Sequence, residues 1–317
     1  MRNLVIGAAG FVGGHLMKDL EGSGHEVIAS DVQAVIPILR AAGRAALAID
    51  ILDGDSIQRV LNLSKPQWII LLAAQSSVGR SWEDPSGTIC SNILGPVNVL
   101  EAIRKLGISP RVLLIGSSEE YGSVEDGRVP LAETRTLAPA NPYAVTKSCQ
   151  EALGRLYQKA YAIEIILTRS FNHIGPGQRL GFVIPDFCSS IAAIERGEQE
   201  PVLKVGNLEA LRDFTDVRDV VRAYRLLLER GQAGETYNVG SGRAVAISEM
   251  LDILVGMARV PLRVEMDPNK YRPLEVRCIV ADISKIEARV GWRPELSLEA
   301  SLEDTLEYFR REGGLRR

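Results

Sequence analysis

The chain has 317 residues, of which 46% are apolar and 24% charged, and its formal net charge is −3. This length suits one large domain or two unequal ones with a buried core. The small negative charge provides no overall basic field, which argues against nucleic acid and anionic lipid as partners. Three histidines, and four cysteines without a CxxC pair, argue against a metal site and a disulfide framework.

The N-terminal apolar segment is short and broken by glycines, so it predicts a strand rather than a signal peptide. The longest apolar run, from Trp68 to Ala74, is too short to cross a bilayer. We therefore expect a cytoplasmic protein with reduced thiols and no membrane association.

Short apolar runs alternate with helical patterns through the first half of the chain. Six runs are predicted strands: residues 3–6, 26–30, 46–49, 68–72, 111–115 and 164–168. Four patterns are predicted helices: residues 13–20, 56–62, 92–105 and 142–161. Continuous apolar runs are typical of parallel strands covered on both faces, so the alternation predicts an α/β fold with a Rossmann-type doubly wound parallel sheet.

The regular alternation of strands and helices ends after residue 172, and glycines and prolines cluster in residues 175–181. We predict a smaller C-terminal substrate-binding lobe from there. Residues 216–230 and 235–239 predict a helix and a strand that return to the main sheet. The predicted division is therefore 1–172 plus about 213–242 for the cofactor domain, and about 173–212 plus 243–317 for the lobe.

Three glycines lie between the first strand and the first helix, at Gly7, Gly10 and Gly13. Gly7 permits a tight turn, Gly10 lets the backbone approach a pyrophosphate, and Gly13 allows close packing of helix on strand. The N-terminus of the helix then offers N–H groups to phosphates. The spacing predicts a dinucleotide site; the alternative is a packing turn without a ligand.

Asp31 ends the second strand, where an acidic side chain would bind the adenosine ribose. A carboxylate there repels a 2′-phosphate, and no arginine follows before Arg40, so the sequence favours NAD(H), with NADP(H) possible. The alternative is an aspartate that starts a turn. Residues after the third and fourth strands are weaker candidates for cofactor contacts: Asp50, Ile51, Ala73, Ala74 and Ser76.

The segment from Asn141 to Lys147 predicts an acid–base site. Asn141 is a good N-cap and Pro142 a good first helical residue. Tyr143 and Lys147 are four residues apart and so share a helix face. A nearby ammonium and a helix N-terminus favour phenolate, so we expect the pKa of Tyr143 to be lowered. The alternative is a surface pair on an amphipathic helix.

The fifth strand leads into Ser117 and Glu119. The Ser117 hydroxyl is a candidate donor to a substrate carbonyl beside Tyr143. Two serines and two glutamates at a strand end are equally compatible with ordinary loop residues.

Taken together, these motifs resemble the extended short-chain dehydrogenase/reductases over essentially the whole chain. Within that group the sequence is most similar to the GDP-mannose 4,6-dehydratases and GDP-6-deoxy-4-keto-mannose reductases. The resemblance is carried by residues 7–13, 117–122, 143–147, 169–178, 205–210, 212–219 and 271–276.

The resemblance implies a role for each matched position. Ser117, Tyr143 and Lys147 would form the catalytic triad, with Glu119 as a further acid. Phe11, Val12 and His173 would contact the cofactor. The implied substrate contacts are Ser118, Asn172, Val183, Lys204, Arg212, Arg272 and Glu275. Guanidinium groups suit a diphosphate and a carboxylate suits a guanine edge, although Arg212 and Arg272 could instead form surface ion pairs.

Three functions follow from the resemblance. The motif at residues 117–122 favours NAD(P)H-dependent reduction of the C4 ketone of GDP-4-keto-6-deoxy-D-mannose to GDP-D-rhamnose. The alternative is GDP-mannose 4,6-dehydration, for which Glu119 would supply the required carboxylate. A non-catalytic nucleotide-sugar or NAD sensor on the same fold is the third. The resemblance also implies a homodimer through the helices that contain residues 92–105 and 142–161.

Overall fold

The computed structural model describes residues 1–122, 130–268 and 278–312. The strands of the described residues are β1 (Arg2–Ile6), β2 (Glu26–Asp31), β3 (Ala46–Ala48), β4 (Trp68–Leu71), β5 (Arg111–Ser117), β6 (Ile165–Ser170), β7 (Asn172–Ile174), β8 (Val202–Val205), β9 (Leu211–Asp216), β10 (Thr236–Val239), β11 (Ala244–Ala246), β12 (Arg263–Met266) and β13 (Cys278–Ile279). The helices are α1 (Phe11–Gly22), α2 (Ile36–Ala41), α3 (Gly54–Ser64), α4 (Val78–Glu83), α5 (Pro85–Ile89), α6 (Gly95–Leu106), α7 (Pro142–Tyr161), α8 (Val183–Glu195), α9 (Val217–Arg230), α10 (Ile247–Gly256), α11 (Ser284–Val290) and α12 (Leu298–Glu312).

The main sheet has seven parallel strands in the order β10-β6-β5-β4-β1-β2-β3. This confirms the predicted doubly wound fold, and each predicted strand and helix is present within a few residues of its expected ends. The order reverses between β1 and β4, which pair in register from Asn3 with Trp68 to Ile6 with Leu71. Ligands of such sheets bind at the carboxyl ends of the strands beside this reversal.

Alternate strand residues feed two hydrophobic cores, one on each face of the sheet. On one face, Val5 and Leu113 pack with α1, α2 and α9. On the other, Leu4 and Leu114 pack with α3 and α6. All four residues of β4 are buried, because a strand in the middle of such a sheet is covered on both sides. The long apolar runs in the sequence reflect this double burial.

The second half of the chain builds a further layer beside the carboxyl edge of the main sheet. Strand β9 pairs with β7, β11 and β13. A third hydrophobic core joins α8, α10 and α12 through residues such as Ile184, Leu254 and Leu306. Helix α11 instead adds Ile286 and Val290 to the core beneath α9, and Trp292 joins them just after the helix ends. The division into two lobes at the boundaries given above remains a prediction.

Of the residues that the structure describes, none forms a helix long and apolar enough to cross a membrane. The same described residues contain no group of three or more histidine, cysteine, aspartate or glutamate side chains that could hold a metal ion.

Candidate active site

The glycine loop lies at the carboxyl end of β1, beside the end of β4. Gly7 has φ +93°, and a Cβ there would lie 2.6 Å from the Ala73 nitrogen. A Cβ on Gly13 would lie 2.5 Å from the Ala8 carbonyl oxygen. At Gly10 a Cβ would meet only the Gly7 oxygen, at 3.3 Å. Gly7 and Gly13 are thus required by packing, whereas Gly10 keeps the turn free of a side chain where a phosphate would approach.

Asp31 ends β2 next to this loop and is bonded to it. Its Oδ2 accepts from the Ala9 N–H at 2.9 Å, and its Oδ1 accepts from the Val32 N–H at 2.8 Å. The guanidinium of Arg40, the next arginine along the chain, donates a hydrogen bond to the Ala46 carbonyl at 3.0 Å and is therefore already engaged elsewhere. The carboxylate therefore helps to hold the loop and remains half-exposed at the sheet edge.

Four other predicted cofactor residues follow β3 and β4. Asp50 is exposed, and its Oδ1 accepts from the Leu52 N–H at 2.8 Å. Ile51 packs at the start of α6, where its Cδ1 would lie 2.5 Å from a Cβ on Gly95. Ala74 and Ser76 are exposed in the segment after β4. All four are on the carboxyl side of the sheet.

Phe11 and Val12 form the first turn of α1. Val12 packs against the first hydrophobic core. The Phe11 ring stacks on His173, with centroids 6.0 Å apart and an interplanar angle of 18°. His173 Nδ1 lies 3.1 Å from the Phe171 carbonyl oxygen, and burial lowers the pKa of this histidine. The imidazole is therefore neutral near pH 7 and links the loop after β6 to the cofactor end of the sheet.

Helix α7 presents the candidate acid–base pair from its first two turns. Tyr143 is only 9% exposed, and its phenol lies beside the Ser117 side chain at the end of β5. The Lys147 Nζ lies 5.9 Å from the centroid of the Tyr143 ring. This ammonium donates to the Ile115 carbonyl at 2.8 Å and to Gln150 Oε1 at 3.3 Å. A phenol, a hydroxyl and an ammonium therefore converge at one sheet edge.

The expected lowering of the Tyr143 pKa is wrong for this structure. Burial raises the pKa of Tyr143, and the nearby carboxyls of Glu120 and Glu119 add to that rise. Burial also lowers the pKa of Lys147, to about 8. Desolvation outweighs the attraction between ammonium and phenolate that the sequence suggested. The phenol is consequently protonated near pH 7, the form that can give a proton to a developing alkoxide.

Ser117 is fixed by a short 3₁₀ turn, Ser118–Tyr121, that follows β5. Its Oγ accepts from the Glu119 N–H at 3.2 Å, while the Glu120 carboxylate accepts from the Ser117 N–H at 2.8 Å. This reciprocal arrangement is a capping box. Ser118 is buried within the same turn. The hydroxyl of Ser117 is therefore held by its own neighbours where it faces Tyr143.

Glu119 is half-buried and tied to the start of α7. Its Oε2 accepts from Asn141 Nδ2 at 2.9 Å. The other end of the same amide caps the helix, because Asn141 Oδ1 accepts from the Ala144 N–H at 2.8 Å. One asparagine thus positions both the predicted extra carboxylate and the helix that carries Tyr143.

The sequence analysis missed Asn92, which is fully buried in a π-helical turn, Cys90–Leu94, between α5 and α6. Its amide exchanges two hydrogen bonds with the main chain of Gln75, at 2.8 and 2.9 Å, and donates to Thr146 at 3.1 Å. It therefore ties the segment after β4 to α7. The available signal was a polar residue in an otherwise apolar helical stretch, but helical periodicity does not predict a π turn.

The predicted substrate residues lie on elements of the second layer. Asn172 is exposed in β7 and pairs in register with Phe214 of β9. Val183 begins α8 and is half-buried, and Lys204 is exposed on β8. Arg212 lies on β9, where its Nη1 donates to the Leu211 carbonyl at 2.9 Å. Arg272 and Glu275 lie outside the described residues.

The loop after β7 is anchored to the cofactor end. His15 Nε2 of α1 lies 2.8 Å from the Pro176 carbonyl oxygen, and Gln178 Nε2 donates to the His173 carbonyl at 3.1 Å. Burial lowers the pKa of His15. Because α1 carries the glycine loop, these bonds hold residues 175–178 against the predicted phosphate site.

A seven-stranded doubly wound sheet, a glycine loop at its reversal point and a buried Tyr143–Lys147 pair beside Ser117 define the class of extended short-chain dehydrogenase/reductases, which are oxidoreductases. Residues 4–305 match the family model described as GDP-mannose 4,6 dehydratase. The chain belongs to this family, and the resemblance stated from the motifs is confirmed.

Named relatives cover almost the whole chain. GDP-6-deoxy-D-mannose reductase of Pseudomonas aeruginosa is 35% identical over 305 residues, 96% of this chain and 96% of that protein. The structure of RMD from Pseudomonas aeruginosa complexed with NADPH superposes with a TM-score of 0.88 at 33% identity, covering 98% of this chain and 100% of that one. UDP-glucose 4-epimerase of Thermus thermophilus in complex with NAD superposes with a TM-score of 0.86 at 29% identity, covering 98% and 99%.

Proposed function

We propose that this chain reduces the C4 ketone of GDP-4-keto-6-deoxy-D-mannose to give GDP-D-rhamnose. The observation that carries the proposal is the buried, protonated phenol of Tyr143, which lies beside Ser117 with the Lys147 ammonium 5.9 Å from its ring centroid. The 35% identity to a reductase over 96% of the chain supports the same reaction. The intact pair also favours an enzyme over a non-catalytic sensor.

Each member of the proposed triad has one task. A nicotinamide dinucleotide, when bound at the glycine loop, supplies the hydride. Ser117 donates a hydrogen bond to the C4 carbonyl oxygen and polarises it. Tyr143 transfers its proton to that oxygen as negative charge develops. Lys147 contributes positive charge, which stabilises the phenolate left behind.

The GDP part of the substrate is proposed to lie against the second layer. Arg212 on β9 and Lys204 on β8 are the cationic groups proposed for the diphosphate, and Asn172 is exposed on β7, the strand paired with β9. Arg272 and Glu275 complete the proposed set by resemblance, the latter for the guanine edge.

We propose NADH as the preferred reductant, with NADPH as the competing option. Asp31 keeps a carboxylate beside the glycine loop, and Arg40, the first arginine after it, donates to the Ala46 carbonyl. A 2′-phosphate at that position would be repelled by Asp31. The Pseudomonas aeruginosa relative is described with NADPH and the Thermus thermophilus one with NAD, so either dinucleotide suits the fold.

The direct test is loss of nicotinamide absorbance when purified protein receives the 4-keto sugar and either NADH or NADPH. We expect turnover, faster with NADH, and a product identified as GDP-D-rhamnose by NMR. Tyr143→Phe removes the proton donor and should lower kcat by about 10²- to 10⁴-fold. Tyr157→Phe is the matched control, since it lies on α7 with its hydroxyl bonded to Glu101 at 2.8 Å. No turnover by the wild type contradicts the proposal.

A second candidate is GDP-mannose 4,6-dehydration, because Glu119 is half-exposed at the site and its carboxylate is held by Asn141 at 2.9 Å. A carboxylate so placed can remove a proton next to a ketone. The same assay separates the two candidates. A dehydratase converts GDP-mannose without added reductant, whereas the proposed reductase leaves GDP-mannose unchanged.

We also propose that the chain forms a homodimer. We place it in the cytoplasm, where the nucleotide sugar and the nicotinamide dinucleotide of the proposed reaction are both metabolites. Large apolar side chains are exposed on α4, α5, the π turn and α7: Trp82, Ile89, Leu94, Val145, Leu156 and Tyr161. Patches of this kind mark protein–protein contacts. The two predicted interface helices supply most of them.

A further inference from the structure

Glu120 is a buried carboxyl group for which the proposed reaction has no role. Its relative exposure is 0%, and its Oε1 accepts from the Ser117 N–H at 2.8 Å. Its Oε2 is buried without a hydrogen-bond partner among the described residues. Leaving such an oxygen unpaired inside a protein costs stability, so its retention directly behind a catalytic hydroxyl calls for a functional explanation.

The carboxyl packs closely against the main chain of β5. A Cβ on Gly116 would lie 2.2 Å from the Thr168 carbonyl oxygen of β6 and 2.5 Å from Glu120 Oε1, so glycine is needed there by the neighbouring strand and also leaves space for the carboxyl. The carboxyl is half of the capping box in which the Ser117 Oγ accepts from the Glu119 N–H. Removing it frees the Ser117 N–H and loosens the turn that fixes the hydroxyl.

The charged groups around Glu120 come from α7 and β6 as well as from its own turn. Glu151 and Lys147 face it from α7, and Arg169 faces it from β6. Burial raises the pKa of Glu120 to about 8, Glu151 adds to the rise, and Arg169 and Lys147 oppose it. In return, Glu120 opposes the burial that lowers the pKa of Lys147 to about 8. It also raises the pKa of Tyr143.

We propose that Glu120 is a positioning residue: its buried carboxyl, bonded to the main chain of Ser117, holds the turn that places the Ser117 hydroxyl beside Tyr143. The raised pKa leaves this carboxyl mostly protonated near pH 7, so it acts through its hydrogen bond rather than through charge. A fixed Ser117 hydroxyl can polarise the substrate ketone that Tyr143 protonates in the proposed reduction. The inference rests on the proposed reductase function and assigns Glu120 a part in it without contact to substrate or cofactor.

Two substitutions test the hydrogen bond to Ser117. Glu120→Gln keeps a carbonyl oxygen for the Ser117 N–H, so kcat near pH 7 should stay within about threefold of wild type. Glu120→Ala removes the acceptor and should lower kcat about tenfold with little change in KM.

The matched control is Glu133→Ala. Glu133 is a half-buried acid whose Oε1 also accepts from a main-chain N–H, that of Asn238, at 2.8 Å. This control should lose stability while kcat stays at the wild-type value. Wild-type kcat in Glu120→Ala overturns the proposal, and so does a kcat of Glu120→Gln as low as that of Glu120→Ala. A wild type that does not turn over the keto sugar refutes the proposed function instead, so the two failures are distinguishable.

Discussion

At the scale of single residues, some glycines of the loop are required by packing and others by the approach of a ligand. Gly13 lies where α1 presses on β1, since a Cβ would come 2.5 Å from the Ala8 oxygen and 2.7 Å from the Gly7 oxygen. The next residue of the same helix, Gly14, would have nothing within 4 Å of its Cβ. Two adjacent glycines of one helix therefore have opposite tolerance for a methyl group.

Gly13→Ala should destabilise the fold by about 1–3 kcal/mol and weaken dinucleotide binding, because the loop must move away from the helix. Gly14→Ala, the control, should stabilise the fold by about 0.5–1 kcal/mol, because alanine has less chain entropy to lose in a helix. Urea unfolding measures both free energies, and quenching of protein fluorescence by NADH measures binding. Equal stability of the two variants would contradict the packing at Gly13.

At the scale of elements, α7 carries the proposed chemistry at its N-terminus, where a helix is easiest to fray. The cap is Asn141, which also holds Glu119, and Tyr143 is the second residue of the helix. Local stability of this first turn therefore determines how well the phenol is placed relative to Ser117.

Asn141→Ala should cost about 1 kcal/mol of folding free energy, the usual value of a lost N-cap. It should also lower kcat by about 10- to 100-fold, because a shift of the first turn misplaces the phenol. Asp53→Ala removes a comparable cap, that of α3, whose carboxylate accepts from the Asp55 N–H. This control should lose similar stability with unchanged kcat; an equal effect of both variants on kcat would refute the role of the Asn141 cap.

At the scale of the whole molecule, large apolar side chains are exposed on several elements, α7 among them. Leu156 on α7 is 60% exposed, and Tyr161 at the end of the same helix is 51% exposed. Ile38 on α2 is equally exposed, at 60%, but α2 packs on the opposite face of the sheet. Exposure alone therefore does not identify the proposed interface. Matched substitutions of Leu156 and Ile38 can identify it.

Leu156→Glu should convert the proposed dimer to monomers, because a carboxylate buried at the contact is desolvated without a partner. Ile38→Glu should leave the assembly unchanged. Sedimentation velocity measures the mass of each variant at several protein concentrations. A monomeric wild type would contradict the homodimer, and a dimeric Leu156→Glu would move the interface elsewhere.

Periodicity and motif spacing were enough to predict the main sheet, because parallel strands covered on both faces need continuous apolar runs such as Trp68–Leu71. They also predicted α7 at its observed bounds, since Asn141 and Pro142 are strong start signals. Pattern reasoning did not find the π turn or Asn92, because a single extra residue in a helical turn leaves no distinct period.

The sequence by itself determined the order of elements, the glycine loop and the i, i+4 spacing of Tyr143 and Lys147, since all of these are local relations along the chain. Only the tertiary structure decided the protonation of that pair. Burial at the junction of β5 and α7 raises the pKa of Tyr143 and lowers that of Lys147, the reverse of what spacing implied for the phenol. Desolvation depends on everything packed around a group, and residues 120, 143 and 147 meet only when the sheet has formed.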